Sequence, residues 1–491
     1  MSGARPIRQG SLLSVLITLC WVLLQATSGT QVSDSTAMGA PAARAAGSAE
    51  LLRERAPAHT RAAPASHIYF AEGYTGQGPQ IRFAETLAIL NTNSITTTGQ
   101  IQYFYGSGNM STVPITIPPR ARLVEDVARD VGPNQQVSAL VEGDLAISAT
   151  RSISRTITSG ALSESVSSGE AALSQYWYFA EGYTGVSFQE YLAICNPNDT
   201  PANVTIEPYG VTGSMPAAPI TRTVPAHSRV TVNVRAVLPN RSLGLLVQAD
   251  QPIAAERTLY WGAGAGSAKY GSAVNEGVGQ PAAQWLFPYV STANGDQVFL
   301  ALINTNSVEA HVRLSLYSDT GTRASSLSST VQPGTRATVV LPSGMSAGGV
   351  IGVVVSSDVP VACEEAQYFG GSPNIGSHAG SIFSGGTQAL TNWIFPGFDT
   401  TPYTTERWFV LNTGAMQAHL TATLFTVEAQ PKGVHFLAAP DKLTSISLAD
   451  MRDLQSGSAS VWSSDAPVIV VQVVRGALPS LGMVVPGVPW S

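Results

Sequence analysis

The segment Trp177-Tyr178-Phe179-Ala180-Glu181-Gly182 decides the architecture of this chain, because it recurs. Tyr69-Phe70-Ala71-Glu72-Gly73 precedes it, and Trp285-Leu286-Phe287-Pro288 and Trp393-Ile394-Phe395-Pro396 follow. The phenylalanines at 70, 179, 287 and 395 are spaced by 109, 108 and 108 residues. Each opener is followed by an apolar run ending in asparagine, at Asn91, Asn196, Asn304 and Asn412. Solenoid and propeller units repeat every ~20–50 residues, because one such unit cannot bury its own apolar face. A period near 108 residues is instead the size of a self-sufficient domain. The chain therefore reads as four tandem copies of one small domain.

The second copy shows the internal pattern most clearly. Short strands are expected over 176–179, 191–195, 203–210, 220–224, 229–234, 243–249 and 253–261. Val230, Val232 and Val234 alternate with polar partners, the period of a half-buried strand. Asn196-Pro197-Asn198-Asp199 is a turn, since Asn tolerates the left-handed region and Pro fixes φ. Several short strands separated by turn signals, with almost no helical period, predict an all-β fold. We expect four tandem antiparallel β-sandwich domains of immunoglobulin or fibronectin type, at 67–160, 175–265, 283–372 and 391–480. The seams between them are rich in Gly and Ser and read either as linkers or as edge strands. In both cases the expected shape is a row of beads.

Ahead of the repeats, residues 1–28 read as a secretory signal. Arg5 and Arg8 form its basic start, Leu12 to Leu24 its apolar stretch, and Ala26-Thr27-Ser28 its small-residue end. That stretch is shorter than the ~20 residues that span a bilayer, so membrane contact is expected only if the segment stays uncleaved. Residues 29–66, rich in Ala, Pro and Arg, read as a flexible leader. Charged residues are only 12% of the chain and net charge is −6, which argues against a nucleic-acid partner. Beyond the signal, Cys195 and Cys363 sit in different copies and form no repeated disulfide framework.

Three strings in the second copy carry a family likeness: Trp177 to Gly185, Tyr191-Leu192-Ala193-Ile194-Cys195-Asn196-Pro197-Asn198-Asp199, and Ile253-Ala254-Ala255-Glu256-Arg257-Thr258-Leu259-Tyr260-Trp261. They resemble an uncharacterised module family of secreted bacterial proteins, frequent in actinobacteria and Chloroflexi. The resemblance covers nearly all of 67–476 and implies tandem β-sandwich repeats outside the cell. It brings no catalytic residues.

Comparison of the copies identifies candidate residues. Arg122, Arg229, Arg336 and Lys442 recur, as do the four asparagines, and residues kept in every copy serve the fold all copies share. Glu72 and Glu181 occur only in copies 1 and 2, and so do Arg151 and Arg257, replaced by Glu365 and Gln472. We expect Glu72 to pair with Arg151 and Glu181 with Arg257 as structural ion pairs. Glu72 with Glu85, or Glu181 with Glu190, could only hydrolyse a glycosidic bond if suitably spaced, and Glu on strands and turns is ordinarily a surface or ion-paired residue. Gly344-Met345-Ser346-Ala347-Gly348 fits a nucleophile motif, but it lacks the strand-to-helix context that motif needs. The seven histidines fall singly, without metal-ligand spacing, and no cofactor motif is present. Tyr74 and Tyr183, in the Gly-Tyr-Thr-Gly turns, are candidate ligand contacts, with Trp177 a third. The expectation is a non-enzymatic, exported spacer or adhesive array. The alternative is binding of carbohydrate or envelope polymer through loop aromatics of copies 1 and 2, and an extracellular hydrolase comes third.

Overall fold

The computed structural model describes residues 64–157, 162–214, 217–262, 271–342, 349–370, 379–397, 404–425, 431–451, 458–476 and 482–490. The expected signal segment, the leader up to residue 63 and the motif at 344–348 lie outside the described residues. Repeat 1 comprises β1 (Ala65–Phe70), β2 (Ile81–Asn91), β3 (Thr97–Tyr105), β4 (Met110–Ile117), β5 (Ala121–Asp126), a short helix α1 (Val127–Val131), β6 (Val137–Ile157) and β7 (Leu162–Ser167). All pairings are antiparallel and form two sheets, β4-β3-β6-β1 and β5-β2-β6-β7. The long strand β6 serves both: residues 137–143 lie between β3 and β1, and residues 148–157 between β2 and β7. The same order recurs in the other repeats, so the chain is an all-β protein of four tandem sandwiches. Repeat 4 adds a two-residue strand, Val488–Pro489, beside Trp393 and Ile394.

Two strands differ from the sequence reading. The strands expected at 243–249 and 253–261 are one, Leu243–Trp261, with a register shift between Gln248 and Ile253. Pro252 removes one ladder donor there, yet pairing resumes on the other sheet, so the strand bends across instead of ending. The seams carry strands: Leu162–Ser167, Gly271–Glu276 and Ala379–Ser384, matched by Gly482–Pro486 in repeat 4. The sequence also hid α1, nucleated where Asp126 accepts hydrogen bonds from the Ala128 and Arg129 amides.

The recurrent asparagines are internal staples. Asn196 Nδ2 donates to the carbonyls of Thr200, Val224 and Pro225 at 2.8–3.0 Å, and its Oδ1 accepts from Asn198. Asn91, Asn304 and Asn412 make matching bonds. Asn196→Ala is expected to orphan these carbonyls and cost about 2 kcal/mol. The check is the shift in urea midpoint, with faster amide exchange at residues 196–200 and 220–226.

Trp177, Trp285 and Trp393 are buried, and each Nε1 donates to a carbonyl of its own long strand, at Ile253, Val361 and Val468. Cys195 and Cys363 are free and buried, and desolvation pushes the Cys195 thiol up to about 12.

The repeats do not form a row of beads. Ala71, Phe104 and Leu140 of repeat 1 pack on Ala193, Cys195 and Ala254 of repeat 2. Tyr178, Ala180 and Leu246 of repeat 2 pack equivalently on Ala301, Ile303 and Ala362 of repeat 3. Tyr289 of repeat 3 meets Phe409 of repeat 4, with ring centroids 4.7 Å apart. Leu90 of repeat 1 closes the series against Ile394, Phe425, Ala459 and Val488 of repeat 4. The seventh strands also touch in sequence, and the last returns to the first. Ser163 and Ser272 share a 2.6 Å hydroxyl contact, Ser381 Oγ donates to the Val484 carbonyl, and Ser168 Oγ donates to the Pro486 carbonyl. Small residues at these joints let neighbouring strands approach: a Cβ on Gly244 would stand 2.4 Å from Ile303 Cδ1. The four sandwiches thus close into a ring.

Candidate binding cleft between repeats 1 and 2

Buried charge defines the joints. Because successive strand residues face opposite ways, Glu256 and Arg257 of repeat 2 reach different neighbours. Glu256 accepts both guanidinium nitrogens of Arg151 in repeat 1, at 2.7 and 2.8 Å. Arg257 reaches Glu364 of repeat 3 at 3.1 Å. Four more residues make a second pair at each of these joints: Glu72 meets Arg229 at 3.3 Å, and Glu181 meets Arg336 at 2.5 Å. The expected Glu72–Arg151 and Glu181–Arg257 ion pairs are therefore corrected. Arg151 and Arg257 do reach Glu72 and Glu181, but at their backbone carbonyls, while the carboxylates face the following repeat. Strand register also places Tyr289, not Pro288, at the position of Glu72.

Glu85 and Glu190 lie behind the Glu-Gly-Tyr-Thr-Gly turns. Both are buried, and desolvation pushes both carboxyls up to about 8. Glu85 Oε2 accepts the Tyr74 amide at 2.8 Å, whereas neither Glu190 oxygen has a partner. The glycine before each tyrosine follows from this packing: a Cβ on Gly182 would stand 2.5 Å from the Leu243 carbonyl and 3.1 Å from Glu190.

Outside the ion pairs, the joint between repeats 1 and 2 opens into a cleft of about 520 Å³. Repeat 1 contributes Tyr74 from its turn and Ile81, Phe83 and Arg155 from adjacent strands, Phe83 and Arg155 being direct cross-strand partners. Repeat 2 contributes Gln189 and Tyr191, Thr231 and Asn233, and Thr258 and Tyr260. Each of these is an i, i+2 pair, so each pair shares one sheet face, and Asn233, Tyr191 and Thr258 stand in one cross-strand row. Tyr74 and Phe83 meet edge to face, with centroids 4.8 Å apart. Arg155 is 4% exposed, its guanidinium lies 5.4 Å from the Tyr260 ring centroid, and Nη1 has no hydrogen-bond partner. Thr258 Oγ1 is also buried without a partner.

The equivalent joints differ. Between repeats 2 and 3, Trp261 takes the place of Arg155 and packs on Tyr368 with centroids 5.0 Å apart. Phe188, Leu259 and Ile382 complete an apolar plug there. Between repeats 3 and 4 a cleft of about 510 Å³ contains Arg475, but Asp296 neutralises it at 2.6 Å. A more apolar cavity of about 350 Å³ beside Trp285, Phe383 and Trp393 contains no buried orphaned polar atom among the described residues.

Of the expected ligand contacts, Tyr74 lines the cleft. Tyr183 packs into the apolar plug, edge to face on Phe188, and Trp177 is corrected to a core residue, 1% exposed. Glu72 lines the cleft but its carboxylate is held by Arg229. Phe83, Arg155, Tyr191 and Tyr260 were not singled out from sequence. The available signal was Arg155 standing where repeats 2 and 3 have Trp261 and Phe369. Among the described residues no cluster of metal-binding side chains occurs, and no helix is long and apolar enough to cross a membrane.

Fold and joints define a class: a repeat protein of β-sandwiches closed on themselves, with polar-aromatic clefts at two joints. The chain belongs to a family of unknown function, DUF5719, whose profile it matches over residues 127–266 and 279–482. No curated protein sequence matches it. Among solved structures, the crystal structure of Thermotoga maritima 1070 aligns with 21% of this chain and 91% of its own at 18% identity. The TM-score is 0.19.

Proposed function

We propose that this is a secreted, non-enzymatic binding protein that takes a saccharide unit of an extracellular or cell-envelope polymer into the cleft between repeats 1 and 2. The observation that carries the reading is the cleft wall, with Tyr74, Phe83, Tyr191 and Tyr260 interleaved with Gln136, Gln189, Asn233 and Thr258. Aromatic faces stack on the C–H faces of sugar rings, and amides and hydroxyls meet their hydroxyl groups. Ring closure favours the adhesive part of the sequence expectation over the spacer part. A spacer gains reach with each repeat, whereas here repeat 4 returns to Leu90 of repeat 1.

Hydrolysis has less support. Glu85 is buried behind the turn and hydrogen-bonded to it, and Glu72 is engaged with Arg229, so neither is placed like a free acid facing the cleft.

The test is retention of the purified protein on insoluble polysaccharides and bacterial envelope preparations. Tyr74→Ala with Tyr260→Ala is expected to weaken retention by about fivefold to a hundredfold, since each aromatic contact is worth about 0.5–1.5 kcal/mol. Unchanged retention in the double variant, or none by the parent protein on any matrix, would overturn the reading.

A further inference from the structure

We propose that the cleft between repeats 1 and 2 is selective for an acidic sugar, with Arg155 donating to the carboxylate of a uronic acid residue. The inference rests on the saccharide-binding reading above and adds the charge of the ligand. Every other strongly buried cation at this joint has a countercharge: Arg151 has Glu256, and Arg229 has Glu72. Arg155 has none. It is 4% exposed, its Nη1 is orphaned, and its one described side-chain contact is the face of Tyr260. Burial lowers its pKa and no carboxylate opposes the shift, yet a guanidinium stays protonated. A buried cation without an anion is costly, and an arriving carboxylate would relieve that cost with two parallel hydrogen bonds.

The other joints act as internal comparisons. Where Arg155 is replaced by Trp261 the joint is filled, and where a cation recurs, at Arg475, the protein supplies Asp296 itself. Only at the first joint is the anion missing among the described residues. A single surplus positive charge matches one carboxylate and falls short of a phosphate monoester, which carries close to two charges. Tyr260, already beneath the guanidinium, and Tyr191 offer the ring a stacking face. Thr258 Oγ1, the second orphaned polar atom, offers a hydroxyl partner.

The experiment is calorimetric titration of the full-length secreted protein with oligomers of galacturonic acid and with galactose oligomers of equal linkage and length. Galactose 6-phosphate serves as a third probe. The acidic oligomer is expected to bind about tenfold to a hundredfold tighter than the neutral one. Arg155→Gln is expected to erase that preference, bringing the affinity for the acidic oligomer down to that for the neutral one. Arg155→Lys, which keeps the charge and loses the fork, is expected to retain part of it and covers the case in which the Gln variant does not fold. Equal affinity of the parent protein for both oligomers, a preference that survives Arg155→Gln, or tighter binding of the phosphate would overturn the inference while leaving saccharide binding intact. Absence of binding by any sugar would overturn both.

Discussion

Arg257→Ala is expected to destabilise the protein by about 3–5 kcal/mol, the cost of leaving a buried charge unpaired. Arg257 is fully buried, and it lies over the Phe179 ring at 5.5 Å. It donates to Asn275 Oδ1 at 2.7 Å, and it holds both the Glu181 carbonyl of its own repeat and Glu364 of the next. Truncation leaves the Glu364 carboxylate with hydrogen-bond donors, Asn275 Nδ2 and the Glu181 amide, but without a countercharge. Removing both partners should behave differently. Arg257→Met with Glu364→Leu replaces the pair by apolar groups and is expected to fall within about 1 kcal/mol of the parent. Urea midpoints of Arg257→Met, Glu364→Leu and the double variant form the cycle that measures this. A loss below about 1 kcal/mol for Arg257→Ala would mean that the joint between repeats 2 and 3 does not depend on this pair.

The second large effect is a gain. Glu190→Gln is expected to stabilise the protein by about 4 kcal/mol at pH 8 and by little at pH 4. Desolvation raises the Glu190 carboxyl from its ordinary value of 4.5 to about 8. Between those values the unfolded chain has released a proton that the folded chain still holds. Stability therefore falls as pH rises through the window and levels off above about 8. An uncharged amide removes the dependence at this position. Its own burial without partners matches that of the protonated acid, whose two oxygens are already orphaned. Glu85 follows the same sign, its carboxyl being raised to about 8 as well, and burial also raises the Glu365 carboxyl, so the single variant should reduce the slope rather than abolish it. Denaturation midpoints of parent and variant from pH 4 to pH 9 check this. Parallel curves would show that Glu190 ionises in the folded protein as freely as in water.

Both variants act on residues whose types, but not partners, could be read in the chain. Glu181 and Arg257 were visible as an acid and a base that recur in copies 1 and 2, and pairing within one copy was the economical expectation. Alternation along the strand instead sends Glu256 and Arg257 to opposite neighbours. The partner of Arg257 is Glu364, in the next copy, a distance across which no local pattern carries information. Cleft residues were hidden for a related reason. Tyr74 announced itself by lying in a Gly-rich turn, whereas Phe83 and Tyr260 sit on ordinary strands. They become cleft walls only when two sandwiches meet.

Sequence alone determined the fourfold repeat, the all-β character and the structural role of the recurrent asparagines. These follow from side-chain period, turn chemistry and the burial of one domain, all of which are local or contained in one copy. Tertiary structure decided that the seams are strands, that repeat 4 returns to repeat 1, which acid meets which base, and that Arg155 is left without an anion. Those outcomes depend on the angle between neighbouring sandwiches. That angle is set by the summed packing of small and large side chains across each joint, such as Gly244 against Ile303 and Leu90 against Phe425. No single stretch of chain encodes it, because close packing is a property of both surfaces together.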